Sequence, residues 1–244
     1  MTKHIRKRTG DCNRPYSLYQ SSIILTRFGV DIIYPCQYAL MLMEKINAVI
    51  FDWGGVLIED PAPALFKYCA NALGVSEKQY VIAFDICMND FQTGTVTEQQ
   101  FWMNMTKRLK APMPKADSLW TEAFTAAYRP RQEMFSLASR LRKAGCKIAI
   151  LSNTEMPVAE LINKLKYDTF DVTVLSCLEG TAKPGRKIYD LTLDRLGIPA
   201  SQALFIDDKQ PNIDGAKQAG LQTILFETIE KFKKDIARLF PNLV

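Results

Sequence analysis

The segment Ala48-Val49-Ile50-Phe51-Asp52-Trp53-Gly54-Gly55-Val56-Leu57 contains the clearest structural signature of the 244-residue chain. Its first four residues are a continuous apolar run, typical of a strand buried on both faces. A carboxylate and then a glycine-rich turn follow at once. The segment therefore predicts a core strand whose C-terminal end carries a chemically active group.

Four more apolar runs of this kind occur along the chain, at 147–151, 172–175, 203–206 and 223–226. Between them lie stretches with helical spacing, such as Met134-Leu137-Leu141 before Gly145. Alternating strands and helices predict an α/β fold with a Rossmann-like, doubly wound parallel sheet. Functional groups are expected at the C-terminal ends of its strands.

One long segment, residues 61–128, interrupts this alternation with helical periodicity and no convincing strand. We expect it to form an all-helical cap inserted into a core made of residues 43–60 and 129–244. Three patterns support the helices: one apolar face, one capping box and one aromatic face. They comprise Leu65, Cys69, Ala72 and Leu73; Thr97 with Gln100; and Trp120, Phe124 and Ala127.

The first 42 residues hold most of the net charge of +5, with six Lys or Arg against two Asp. We expect this extension to be a poorly ordered tail, or the true start to be Met43. Its apolar part is broken by Arg27 and Asp31, which excludes a membrane span. The remaining chain is nearly neutral and shows no electrostatic footprint for nucleic acid. A cytoplasmic location is expected.

Histidine and cysteine usage excludes several classes of enzyme. The single histidine, His4, lies in the extension, which removes Ser-His-Asp hydrolases, Cys-His proteases and most catalytic zinc sites. The six cysteines include no C-x-x-C pair, so a structural zinc site is not expected.

Polar side chains follow four of the apolar runs. They are Asp52; Ser152 with Asn153; Lys183, ahead of a helix; and Asp207 and Asp208 with Asn212. Each alone suits a turn or a helix cap. Together they would meet at the sheet edge where such folds bind ligands. Three carboxylates suit a hard cation such as Mg²⁺.

These four motifs, in this order, resemble the haloacid dehalogenase superfamily of phosphohydrolases with a helical cap between the first two motifs. The chain looks similar to glucose-1-phosphate phosphatases and to the N-terminal phosphatase domain of epoxide hydrolases. The resemblance implies a Mg²⁺-dependent phosphatase acting on a small phosphate ester, with a sugar phosphate as one candidate. It gives neither the substrate nor the oligomeric state.

The resemblance also assigns roles. Asp52 is the expected nucleophile, forming an aspartyl-phosphate, and Lys183 is expected to neutralise charge on it. Phosphate is expected to contact Ser152, Asn153, Lys183 and the backbone N–H groups of Trp53 and Gly54. The expected metal ligands are Asp52, the carbonyl of Gly54, Asp207 and Asp208, with Asn212 as a weaker supporting candidate.

Gly54 is the departure from the family pattern, since most phosphatases of the family carry a second Asp there as general acid and base. Such catalysis is worth about 10²–10⁴ in rate. The loss favours substrates whose leaving group is a weaker base, such as a sugar 1-phosphate or an acyl phosphate. Glu59 or Asp60 could substitute as the acid.

Two alternatives stay open at this point. A 2-haloacid dehalogenase also lacks the second Asp, but it is metal-free and has no use for the pair Asp207-Asp208. A catalytically idle binding or regulatory module is favoured only by Gly54. A phosphomutase is disfavoured, because it needs the missing acid.

Overall fold

Five parallel strands form the central sheet in the order β5-β4-β3-β6-β7. The computed structural model describes residues 22–27, 30–35, 45–165 and 167–241. The strands are β3 (Ala48–Phe51), β4 (Lys147–Ser152), β5 (Val172–Leu175), β6 (Ala203–Asp207) and β7 (Gln222–Leu225). All five predicted runs are strands, with ends shifted by at most one residue, and the predicted parallel sheet is confirmed.

Five helices lie between β3 and β4; the first four fall within residues 62–127, where no residue belongs to a strand. We call this segment, residues 62–127, the cap. Its helices are α1 (Ala62–Leu73), α2 (Glu77–Gln92), α3 (Glu98–Leu109) and α4 (Leu119–Ala127). The predicted helical insert is therefore present, while its limits as a separate domain stay a prediction.

Local sequence explains where the cap helices begin. The side chains of Ser76 and Thr97 each accept a hydrogen bond from the backbone N–H three residues later. Both residues form capping boxes, which begin α2 and α3. The capping box at Thr97 confirms the prediction. The predicted apolar face of α1 is partly wrong, because Ala72 is exposed and Ala70 is buried. The buried side of α1 extends from Leu65 towards Ala70.

The remaining helices cover both faces of the sheet. They are α5 (Gln132–Lys143), α6 (Met156–Leu165), α7 (Ser176–Glu179), α8 (Arg186–Leu196), α9 (Gln210–Gln218) and α10 (Ile229–Leu239). Val49 and Phe51 pack in one core with α5 and α10, and Ala48 packs in a second core with α8 and α9. Burial on both faces explains why the strands read as unbroken apolar runs.

Two strands precede this unit: β1 (Ser22–Arg27) pairs antiparallel with β2 (Val30–Pro35), a pairing that the sequence did not predict. The rest of the expectation for residues 1–42, and Met43 as the start, lie outside the described residues. Within the described part of the chain, no helix has the length and apolar character needed to cross a bilayer.

Candidate active site

Three predicted side chains lie at the C-terminal ends of neighbouring strands. Asp52 follows β3 directly, and its backbone N–H donates to Ile206 O at 2.8 Å. Ser152 ends β4 and Asp207 ends β6. Since β3 lies between β4 and β6, the parallel register brings the three residues to one edge of the sheet, as the sequence predicted.

Lys183 links two carboxylates of this edge. Its buried ammonium nitrogen Nζ lies 2.9 Å from Asp52 Oδ1 and 2.7 Å from Asp207 Oδ2. It also donates to Leu151 O at 2.9 Å. These three partners use all three ammonium donors, so the lysine is held in one position.

The two carboxylates on Lys183 have opposite pKa shifts. Burial raises the pKa of Asp52 to about 7, although Lys183 pulls in the other direction. Asp207 is also buried, but the ammonium of Lys183 and donors from Lys209 N and Asn212 lower its pKa. Burial disfavours the charge on Lys183, yet both carboxylates together raise its pKa. Lys183 stays protonated, while the charge of Asp52 is only partly compensated.

Asp207 is the hydrogen-bonding centre of the site. Its Oδ1 accepts from Lys209 N at 2.8 Å, and Asn212 Nδ2 donates to Oδ1 at 3.0 Å and to Oδ2 at 3.1 Å. The supporting role expected for Asn212 is thus a contact with Asp207.

Asp208 completes a group of oxygens that fits a hard cation. One carboxylate oxygen each from Asp52, Asp207 and Asp208 lies within 4.8 Å of the others. Asp208 Oδ1 is buried without a hydrogen-bond partner, and burial raises the pKa of Asp208. Gly55 has φ +87°, and a Cβ there would collide with the carboxylate of Asp208. The residues present therefore fit a divalent cation with oxygen ligands.

The side chain of Asn153 contacts the backbone of Lys183. Its Nδ2 donates to Lys183 O at 2.9 Å, and its Oδ1 accepts from Lys183 N at 2.8 Å. The side-chain amide thus holds the backbone of Lys183, and a contact between Asn153 and phosphate stays a prediction.

The remaining phosphate candidates surround Asp52. Trp53 N–H donates to Asp52 Oδ1 at 2.7 Å and so points into the site. The hydroxyl of buried Ser152 has a long contact of 3.5 Å with Asn153 O. Gly54 bridges to Ile58 in the loop after Asp52, and its carbonyl as a metal ligand stays a prediction.

The two substitute acids are exposed. Asp60 Oδ1 accepts from Ala62 N at 3.1 Å at the start of α1, and its charge contributes to the raised pKa of Asp208. The side chain of Asp60 thus begins a cap helix, and neither Glu59 nor Asp60 has a described contact with Asp52.

Two residues that the sequence analysis missed support the site. Arg131 Nη1 donates to the carbonyls of Gly55, at 2.8 Å, and of Val56 and Ile58, in the loop that follows Asp52. Glu155, three residues after Ser152, is buried and contacts the cap. The partners of Arg131 are backbone carbonyls, which every residue type has, so no sequence pattern could have indicated this role.

Comparison with known proteins was made on the sequence and on the fold. The family model of haloacid dehalogenase-like hydrolases matches residues 46–220, which include every residue of the site. Residues 46–220 are also the part of the chain that holds the parallel sheet from β3 to β6 and the cap.

Three similar proteins illustrate the range of relatives. Mouse Acyl-CoA dehydrogenase family member 10 is 28% identical over 98% of this chain, but the chain spans only 22% of that protein. Sesquiterpene phosphatase astK of Aspergillus oryzae is 25% identical, covering 74% of this chain and 89% of its own length. A HAD family enzyme of Bacteroides thetaiotaomicron, crystallised with magnesium and inorganic phosphate, has a TM-score of 0.64 and 21% identity. This match covers 77% of the present chain and 98% of the enzyme.

Proposed function

Because the chain belongs to the haloacid dehalogenase-like hydrolases, we propose that it is a Mg²⁺-dependent phosphatase. It hydrolyses a small phosphorylated metabolite through an aspartyl-phosphate on Asp52. The observation that carries this proposal is the buried cluster in which Lys183 joins Asp52 to Asp207 beside the unpaired oxygen of Asp208.

In the first step, an Asp52 carboxylate oxygen forms a bond to phosphorus and the bond from phosphorus to the leaving oxygen breaks. Lys183 holds Asp52 by a 2.9 Å contact and offers positive charge to the phosphoryl oxygens. Two further donors to the phosphoryl oxygens are the Ser152 hydroxyl and the backbone N–H of Trp53, which donates to Asp52 in this structure.

The metal would be held by Asp52, Asp208 and the Gly54 carbonyl, with Asp207 close by. When bound, Mg²⁺ supplies positive charge that reduces repulsion between the carboxylates and the phosphoryl group. The phosphoryl group is then transferred from Asp52 to water, which restores the carboxylate.

Position 54 narrows the substrate class. Glycine offers no proton to the leaving oxygen, so the leaving group must be a weak base by itself. A sugar 1-phosphate or an acyl phosphate meets this condition. A relative named as a phosphatase and a solved relative holding magnesium and phosphate support phosphate chemistry.

The two alternatives make different use of the same residues. A dehalogenase would have no need of three clustered carboxylates, which argues against that reading. An idle module is favoured only by Gly54, and the paired state of Lys183 argues against it. A cytoplasmic location stays a prediction.

A screen of phosphorylated metabolites with Mg²⁺ tests the proposal, with Asp52→Asn as the matched control. We expect Mg²⁺-dependent phosphate release by the wild-type protein and none by D52N, whose circular dichroism should be unchanged. Beryllofluoride should bind the wild-type protein only. Wild-type turnover by D52N would exclude Asp52 as the nucleophile, and no turnover of any ester would favour the idle module.

A further inference from the structure

Glu155 carries a buried carboxylate that the proposed chemistry does not use. It follows the motif Ser152-Asn153-Thr154, and its carbonyl accepts from Val158 N and Ala159 N at the start of α6. A helix N-terminus favours a negative charge. Its side chain is buried, and among the described residues it forms no ion pair.

The side chain of Glu155 instead contacts the cap at two places. Its Oε1 accepts from Gln92 Nε2, at the end of α2, at 3.0 Å. Its Oε2 accepts from Trp120 Nε1, on α4, at 3.1 Å. Burial raises the pKa of Glu155, and these two donors oppose the shift. One carboxylate of the core thus holds two separate helices of the cap.

A second core residue contacts the same end of α2. The hydroxyl of fully buried Ser176 donates to Gln92 O at 2.6 Å and accepts from Thr154 N at 2.9 Å. Just beyond, Gly94 has φ +68°, and a Cβ there would collide with the carbonyl oxygen of Cys177. The end of α2 therefore lies tightly against the core.

We propose that Glu155 is a positioning residue that fastens the cap in its closed position over the site of Asp52 and Lys183. The role rests on the proposed function, because a closed cap keeps water from the phosphoryl group. The linkers near 59–61 and 128–131 also join cap and core, and there Glu59 N–H donates to Arg129 O. Glu155 thus fixes the cap at a point separate from these linkers.

Thiol labelling measures this fastening without any assay of activity. Cys177 is buried where Gly94 meets the core, and burial raises the pKa of its thiol to about 12. Cys69 is buried inside the cap, and burial raises its pKa to about 12 as well. Release of the cap should expose Cys177, whereas Cys69 should react only when the cap unfolds.

Two variants and one matched control define the experiment. Glu155→Gln replaces one acceptor oxygen by an NH₂ group, which cannot accept from Gln92 or Trp120. Gln92→Met removes one donor and leaves the carboxyl group of Glu155 in place. Gln100→Met is the control, because it is the same substitution and Gln100 Oε1 accepts from Thr97 N at 2.9 Å wholly within the cap. We expect Cys177 of E155Q and Q92M to label about tenfold faster or more, as the loss of a hydrogen bond that leaves a buried carboxyl oxygen unpaired implies. Q100M should leave Cys177 at the wild-type rate.

Kinetics on a substrate found in the screen give the second readout. We expect kcat/KM of E155Q to fall at least tenfold while its Mg²⁺ affinity, measured by calorimetry, stays at the wild-type value. Wild-type labelling of Cys177 in both variants would overturn the fastening role. Fast labelling with unchanged kcat/KM would overturn the positioning role. If the wild-type protein proves inactive, the labelling result still decides whether Glu155 holds the cap.

Discussion

Under the proposed function, a carboxyl group at position 54 should supply a proton donor for the leaving group. The backbone accepts the change Gly54→Asp, because Gly54 lies outside the left-handed region. The nearest atom to an added Cβ is Pro61 Cδ at 3.6 Å, an ordinary contact. The neighbouring Gly55 would not tolerate a side chain, since its φ is +87° and Asp208 occupies the space. The position two residues after Asp52 is also the one at which most phosphatases that this sequence resembles carry the acid.

The expected gain depends on the leaving group. General acid catalysis is worth about 10²–10⁴ in rate, or about 2.7–5.4 kcal/mol of activation free energy. An alkoxide needs the proton, so kcat/KM of G54D for an alkyl phosphate such as glycerol phosphate should rise about 100-fold or more. The leaving group p-nitrophenolate is a weak base, so kcat/KM for p-nitrophenyl phosphate should change less than about tenfold.

Phosphate release at saturating Mg²⁺ measures both values of kcat/KM. Gly54→Asn is the control, because its side chain has the same size but holds no transferable proton, and it should show no selective gain. The reasoning is refuted if G54D has the wild-type melting temperature and Mg²⁺ affinity but gains equally on both substrates, or gains nothing on the alkyl phosphate.

Three further predictions concern the metal and the lysine. Asp208→Asn removes the charge of a half-buried carboxylate whose buried Oδ1 has no hydrogen-bond partner. The metal-free variant should therefore melt no lower than wild type in calorimetry, and Mg²⁺ should no longer raise its melting temperature. A normal Mg²⁺ shift would contradict this. Burial raises the pKa of Asp52 to about 7, so below pH 7 Mg²⁺ must displace a proton from Asp52 in order to bind. The affinity of the protein for Mg²⁺, measured by titration calorimetry, should therefore fall about tenfold per pH unit below pH 7 and be constant above it. A pH-independent affinity would show that Asp52 is ionised throughout. Asn153→Ala removes both hydrogen bonds to the backbone of Lys183. The free energy of unfolding in urea should fall by about 1–3 kcal/mol, and kcat should fall as well. An unchanged kcat would show that Asn153 has no positioning role.

The sheet and the catalytic cluster were predictable for one shared reason. Strands buried on both faces have continuous apolar sequences. The polar residue that follows each of these strands must lie at the same edge of a parallel sheet. The positions of Asp52, Ser152 and Asp207 follow from that rule alone. Lys183 was expected there because it follows the run 172–175, but it does not end that strand, since α7 lies between β5 and the lysine.

Contacts between the cap and the core were beyond sequence reasoning. Glu155 lies 63 residues from Gln92 and 35 from Trp120, so no local pattern connects them. The same holds for Asn153, whose partner is a backbone 30 residues away. A polar residue beside a motif can serve the ligand or its neighbours in the fold, and only the tertiary structure distinguishes the two.

Asp207 and Asp208 are adjacent in the sequence, but the fold gives their carboxylates different surroundings. Asp207 ends β6 and has donors on both oxygens, including Lys183, so its charge is compensated. Asp208 lies one residue further, and its buried Oδ1 has no donor. When all three carboxylates are ionised, as metal binding requires, the single positive charge of Lys183 leaves two uncompensated negative charges in a poorly solvated site. A monovalent cation would leave one of these charges buried, and a divalent cation leaves none. The cluster therefore matches Mg²⁺ by its charge as well as by its oxygen ligands.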